Sequence, residues 1–167
     1  MPTILLQSEI NEVCISLRDS ISEQYSYYAA HMHFLYYYGV RIGEVFDYRI
    51  TPGDSPGTLS VYPQKKNNKR TLSIVNDSTL DHLEKLNASN ELFWQNKRNL
   101  QRIIEKEISI AGLCCGNKKI GAHLFRHNYV KKLVREGLQV STIDQIMGYT
   151  TQTVADTYLT SIITYNN

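Results

Sequence analysis

Two short runs near the middle of the chain, Thr58-Leu59-Ser60-Val61-Tyr62 and Arg70-Thr71-Leu72-Ser73-Ile74, alternate polar and apolar residues. Alternation with a period of about 2 suits a half-buried strand. A polar loop, Gln64 to Lys69, joins them, so they read as an antiparallel hairpin. Nearly everything on either side has helical spacing. The chain is therefore expected to be α+β but mostly α, with helices around one small antiparallel sheet.

The helices announce themselves by their stops. Ile10, Val13, Cys14 and Leu17 follow Ser8, a possible cap, at helical spacing. A second helix is expected over Tyr28 to Tyr38, ended by Gly39, since glycine accepts the left-handed conformation that closes a helix. Val40 to Val45 reads as a short helix, and Thr51 to Gly57 as a turn. Helix is expected again from Ser78, with one long helix over Asn90 to Ile110. A loop flanked by Gly112 and Gly116 leads to a helix over His123 to Glu136, closed by Gly137. Ser141 to Met147 follows, with a Ser141/Asp144 cap and Gly148 as its stop. A last helix is expected over Thr151 to Thr160, with Tyr165 in a frayed tail.

At 167 residues the chain has the length of one domain, and residues 1–167 are expected to form one. Its 42% hydrophobic content is too high for a disordered segment. The most apolar-looking stretch, Phe34 to Tyr38, is far shorter than the roughly 18 residues of a membrane span. Residues 1–15 lack a secretory pattern. Cys14, Cys114 and Cys115 make neither a disulfide framework nor a Cys-x-x-Cys half-site, so a reducing, cytoplasmic compartment is expected.

Charge is unevenly placed. Residues 1–64 hold three basic side chains against seven acidic, residues 65–135 fifteen against six, and residues 136–167 none against three. A basic centre in a chain of net charge +2 points to a polyanion partner. A solvated lysine-bearing helix face is the plainer reading.

Few motifs for other chemistry are present. His31 and His33 point to different faces of a helix, and no metal ligand set or cofactor is expected. There is no phosphate-cradling Gly-x-x-x-x-Gly-Lys-[Ser/Thr] loop and no Gly-x-Ser-x-Gly elbow. His123 and Arg126, three apart, share one helix face and can together clamp an oxyanion or phosphate. Gly148-Tyr149 ends the next helix, and Tyr158 follows.

These segments resemble the tyrosine recombinases, the phage integrase family. HLFRHNYVKKLVREG, STIDQIMGY and TQTVADTYLT are similar to the family's His-x-x-Arg-His box, its Leu-Gly-His corner and its nucleophile-bearing helix. YYYGVRIGEV is similar to Thr-Gly-Leu-Arg-x-x-Glu-Leu, and QKKNNKRTLSI to the hairpin that carries a catalytic lysine. The resemblance runs from about Ser8 to Thr160 and covers the family's catalytic domain, without the N-terminal DNA-binding domain. It implies the integrase catalytic fold and a metal-free reaction on double-stranded DNA. A tyrosine attacks a phosphodiester, a 3′-phosphotyrosyl link forms, and a second DNA end resolves it.

By this resemblance Tyr158 is the nucleophile, Arg41 and Arg126 bind the non-bridging oxygens, and Lys65 protonates the leaving oxygen. His123 assists loss of the tyrosine proton. Tyr149 replaces the family's corner His or Trp and can donate to a phosphate oxygen. Glu44 has a structural role and His127 a supporting one. Lys66, Lys69, Arg70, Lys118 and Lys119 are expected to contact DNA. The expected partners are DNA and further recombinase subunits assembled on it, the free protein being a monomer, associated with the nucleoid when DNA-bound. Two alternatives stay open: a catalytically weakened DNA-binding or regulatory relative, motivated by Tyr149, and a type IB topoisomerase-like enzyme.

Overall fold

The alternating runs pair as their pattern predicts. In the computed structural model, β3 (Thr58–Val61) and β4 (Arg70–Ser73) are antiparallel, with Leu59 opposite Leu72 and Val61 opposite Arg70. A short β2 (Ile50–Pro52) extends this sheet in the order β2-β3-β4. The structure describes residues 2–5, 7–63, 69–92, 95–114, 121–148 and 163–166.

Around the sheet lie α1 (Gln7–Gln24), α2 (Ala29–Tyr38), α3 (Thr79–Asn90), α4 (Lys97–Ile110), α5 (His123–Arg135) and α6 (Val140–Met147). The central helix is α2, which packs against α1, α3 and α5. Ala30, Met32, Phe34, Leu35 and Tyr38 are all buried, so α2 is enclosed on every side. Ile10, Cys14, Leu17 and Ile21 of α1 and Leu100, Ile104 and Ile108 of α4 join it in one core. Each such side chain contributes about 1.5–3 kcal/mol by leaving water. A smaller cluster, Tyr129, Val130, Leu133, Ile143 and Met147, joins α5 to α6.

Enclosure of α2 also buries His31 and His33. Each finds one polar partner: His31 Nε2 pairs with Asn90 Oδ1 at 3.0 Å, and His33 Nε2 with Thr79 Oγ1 at 3.0 Å. Burial pushes the His31 pKa down to about 4 and the His33 pKa down to about 3, so both are neutral at neutral pH.

Four expectations need correction. The long helix expected over Asn90 to Ile110 begins only at Lys97 as α4, and Asn90 is instead the last residue of α3. Asn96 caps α4, its side chain accepting from the Asn99 amide at 2.9 Å, while the Asn90 side chain is turned sideways to the Val45 carbonyl. The Ser141/Asp144 cap does not form. Since α6 begins at Val140, Gln139 holds the capping position and Ser141 lies within the first turn. Val40 to Val45 is helical only over Ile42–Val45, as a 3₁₀ turn.

The fourth concerns the tail. Instead of fraying, β6 (Ile163–Asn166) is the middle strand of a second sheet, between β1 (Pro2–Leu5) and β5 (Leu113–Cys114). Thr3 lies opposite Tyr165 on one side and Leu113 opposite Tyr165 on the other. Ile, Thr and Tyr favour extended backbone, and two partner strands satisfy its hydrogen bonds on both edges. The expected helix over Thr151 to Thr160 lies outside the described residues.

Candidate active site

Gly39 turns the chain out of α2 in the left-handed conformation, at φ +58°. It also lies against α5 so closely that a Cβ there would come within 2.6 Å of the Tyr129 ring. Only glycine meets both demands. The close approach brings the Gly39 carbonyl to Arg126 one turn back along α5, where Arg126 Nη1 donates to it at 2.8 Å. Arg126 Nη2 donates to the Met147 carbonyl at 2.6 Å. A guanidinium only 5% exposed is thus held by carbonyls at the C-terminal ends of two helices, where partial negative charge collects.

Arg41 follows two residues after Gly39. Its backbone is extended, its amide donates to Glu44 Oε1 at 2.7 Å, and its carbonyl accepts from the Glu44 amide at 2.8 Å. These bonds fix the start of the 3₁₀ turn. The Arg41 side chain is 42% exposed, with Nη1 4.0 Å from Glu44 Oε1.

Arg41, His123 and Arg126 line one cleft of roughly 390 Å³. Its other wall is α4, through Lys97, Gln101 and Glu105. Burial, then the charges of Arg126, Arg41 and Lys97, push the His123 pKa below its usual value. His123 is therefore neutral at neutral pH, able to accept a proton. The cleft carries two arginines for a doubly contacted anion and an imidazole beside them.

Glu44, almost wholly buried, lines the same cleft. Burial alone would raise its pKa. The hydrogen bonds and charge of Arg70, the Arg41 amide and the charge of Arg126 outweigh that and hold it below the usual carboxylate range. Arg70 donates from Nη1 to Glu44 Oε2 at 2.5 Å and from Nη2 to Oε1 at 2.9 Å.

Arg70 was expected on the DNA-facing surface, and here the structure differs. Along β4 the burial alternates, so Arg70 points inward with Leu72 and is 9% exposed. Lys69, its neighbour, is exposed and pairs with Asp54 at 2.6 Å. Lys65, Lys66, Lys118, Lys119, Tyr149 and Tyr158 lie outside the described residues. Sequence reasoning did not single out Lys97, Gln101 and Glu105. Their spacing of four, along the edge of the apolar Leu100-Ile104-Ile108 stripe, was the available signal.

The sequence profile described as the phage integrase family matches residues 4–162. The chain belongs to this family, that of the tyrosine recombinases. Among solved structures it is similar to XerA recombinase, with TM-score 0.62 and 22% identity over 96% of this chain and 60% of that one. It is also similar to XerH site-specific recombinase bound to difH substrate in a pre-cleavage complex, with TM-score 0.57, 19% identity and coverage of 96% and 50%. A XerH post-cleavage complex with palindromic difH substrate gives TM-score 0.57, 19% identity and coverage of 96% and 49%. The fold is shared, and the chain spans between about half and three-fifths of those proteins' length. No curated protein matches the sequence.

Proposed function

We propose that this chain is the catalytic domain of a site-specific DNA recombinase that cuts and rejoins strands through a tyrosyl-phosphate link. The observation that carries the reading is the convergence of Arg41, His123 and Arg126 on one cleft in a chain of this family. The Tyr158 hydroxyl attacks a backbone phosphorus, its proton passing to neutral His123. Arg41 and Arg126 hold the non-bridging oxygens as charge grows on them, and such fixed charge supplies most of the rate. Lys65 gives a proton to the departing 5′ oxygen. Tyr149 donates a further hydrogen bond to the phosphate. A free 5′ hydroxyl then attacks the link, releasing Tyr158 and resealing the DNA.

The XerH structures hold difH substrate, and by that likeness the partner here is double-stranded DNA. Recombinase subunits, monomeric in free solution, assemble on it within the nucleoid. No described helix is long and apolar enough to cross a membrane. The test is incubation with nicked duplex carrying the element's end sequences, so that the cleaved strand end diffuses away and the link is trapped. The expected result is an SDS-stable adduct that maps by mass spectrometry to Tyr158 and disappears in Tyr158→Phe. An adduct that persists in Tyr158→Phe, or no adduct at all with DNA bound, overturns the reading.

A further inference from the structure

We propose that Arg70 is a positioning residue: its buried guanidinium, acting through Glu44, sets where Arg41 stands in the cleft. The catalytic consequence rests on the strand-transfer reading above, while the positioning rests on geometry alone.

The fork of Arg70 takes both oxygens of Glu44, and Oε1 is the same atom that accepts the Arg41 amide at 2.7 Å. One carboxylate oxygen therefore joins β4 to the turn that carries Arg41. Glu44 is 1% exposed, so without Arg70 its charge would sit buried beside Arg41 and Arg126 and draw them toward itself. With Arg70 present, that charge is matched from below and the Arg41 side chain remains at 4.0 Å.

Arg70 supports the second arginine as well. It lies against Gly148, where a Cβ would come within 3.2 Å of Arg70 Nη1 and 3.4 Å of its Cδ. Gly148 follows Met147, whose carbonyl anchors Arg126. Arg70 thus touches the supports of both arginines without lining the cleft itself. Burying an ion pair is a poor way to gain stability, since apolar residues of similar volume serve as well. A fork held on both sides gives a fixed geometry, which lysine cannot reproduce.

The test uses the full chain with Arg70→Lys, which keeps the charge and loses the fork. The first readout is hydrogen exchange of the Arg41 backbone amide by NMR, independent of any reaction. It should accelerate while the amides of Leu100 and Ile104 keep wild-type protection. The second is single-turnover formation of the DNA adduct at saturating DNA. It should slow by about ten- to a hundredfold, the scale of a small misplacement of reacting groups, with DNA affinity nearly unchanged. Should Arg70→Lys not fold, Arg70→Met combined with Glu44→Gln leaves no lone buried charge and is expected to show the same slowing. Wild-type cleavage by either folded variant, or unchanged Arg41 exchange in Arg70→Lys, overturns the proposal. Faster Arg41 exchange with no adduct from the wild-type chain upholds the positioning and sinks the strand-transfer reading. An adduct from the wild type with unchanged Arg41 exchange does the reverse.

Discussion

Arg126 donates to the Met147 carbonyl at 2.6 Å, so the helix that begins at His123 is tied to the residue just before Gly148. The same guanidinium holds the Gly39 carbonyl at 2.8 Å, two residues before Arg41. One side chain therefore ties together α5, the end of α2 before Arg41 and the end of α6, and it does so while 5% exposed.

Arg126→Lys should separate structure from reaction. A single ammonium cannot span both carbonyls in the plane the fork uses. Losing one charge-assisted hydrogen bond should cost about 1.5–3 kcal/mol of stability, seen as a lower midpoint in urea unfolding. Adduct formation should fall by orders of magnitude, with DNA affinity little changed. Cleavage near the wild-type rate would remove Arg126 from the site.

Gly39→Ala should be among the most destabilising small substitutions in the chain. The left-handed backbone costs alanine about 1–2 kcal/mol, and the 2.6 Å approach to Tyr129 adds overpacking of a further 1–3 kcal/mol, about the usual range. The Cβ of Tyr129 also lies at 2.6 Å and stays in alanine, so in a Tyr129→Ala background Gly39→Ala should lose only the ring's share of the overpacking. Urea unfolding of the wild type, both single variants and the double variant closes a cycle that measures that share. Additive effects would show that the ring contact carries no strain.

The helices and the hairpin were legible because their signals are local. Gly39, Gly137 and Gly148 mark helix ends by a backbone conformation that other residues avoid, and each has positive φ. The second sheet was not legible. β1, Pro-Thr-Ile-Leu, does not alternate, β5 has two residues, and Thr3 and Tyr165 meet only through the fold. The pair of Glu44 and Arg70 was half legible. Strand parity puts Arg70 with Leu72 on the inner face, but a basic hairpin invites a surface reading. The anchors of Arg126 are backbone carbonyls, and no residue type announces those.

Acid should weaken the fold before most carboxylates titrate. His31 and His33 are neutral when folded, with pKa values of about 4 and about 3, and near 6.5 when unfolded. Burial comes first in both shifts. His33 also faces His82, stacked at 4.1 Å, and the charge of Arg18. His82 is itself lowered by burial and Lys85, against Asp81. With folded pKa values depressed, the unfolded chain binds more protons between these limits. Stability is then fully present above about pH 6.5 and falls as pH drops toward 4, by up to about 1.4 kcal/mol per pH unit for each histidine. Urea unfolding at pH 7.5, 6.5, 5.5 and 5, each an approximate setting within this window, should show the fall. His31→Gln with His33→Gln should flatten it. A slope unchanged in that variant would assign the acid sensitivity to other groups.

Lys97 should act on both DNA and His123. It lines the cleft opposite the arginines, and its charge is one of the causes that lower His123. Arg98, Arg102 and Lys106 are exposed on the same helix, so α4 offers a basic edge to a phosphate backbone. If one phosphate contact is lost in Lys97→Gln, the slope of log K against log salt should become shallower by about 0.9. The loss should be similar across duplex sequences, because phosphate contacts carry no base information. In the same variant the His123 imidazole, followed by NMR, should titrate at higher pH than in the wild type. Fluorescence anisotropy from about 50 to 200 mM salt measures the first effect. An unchanged slope would place Lys97 off the DNA path, and an unchanged His123 titration would show that its charge does not reach the cleft.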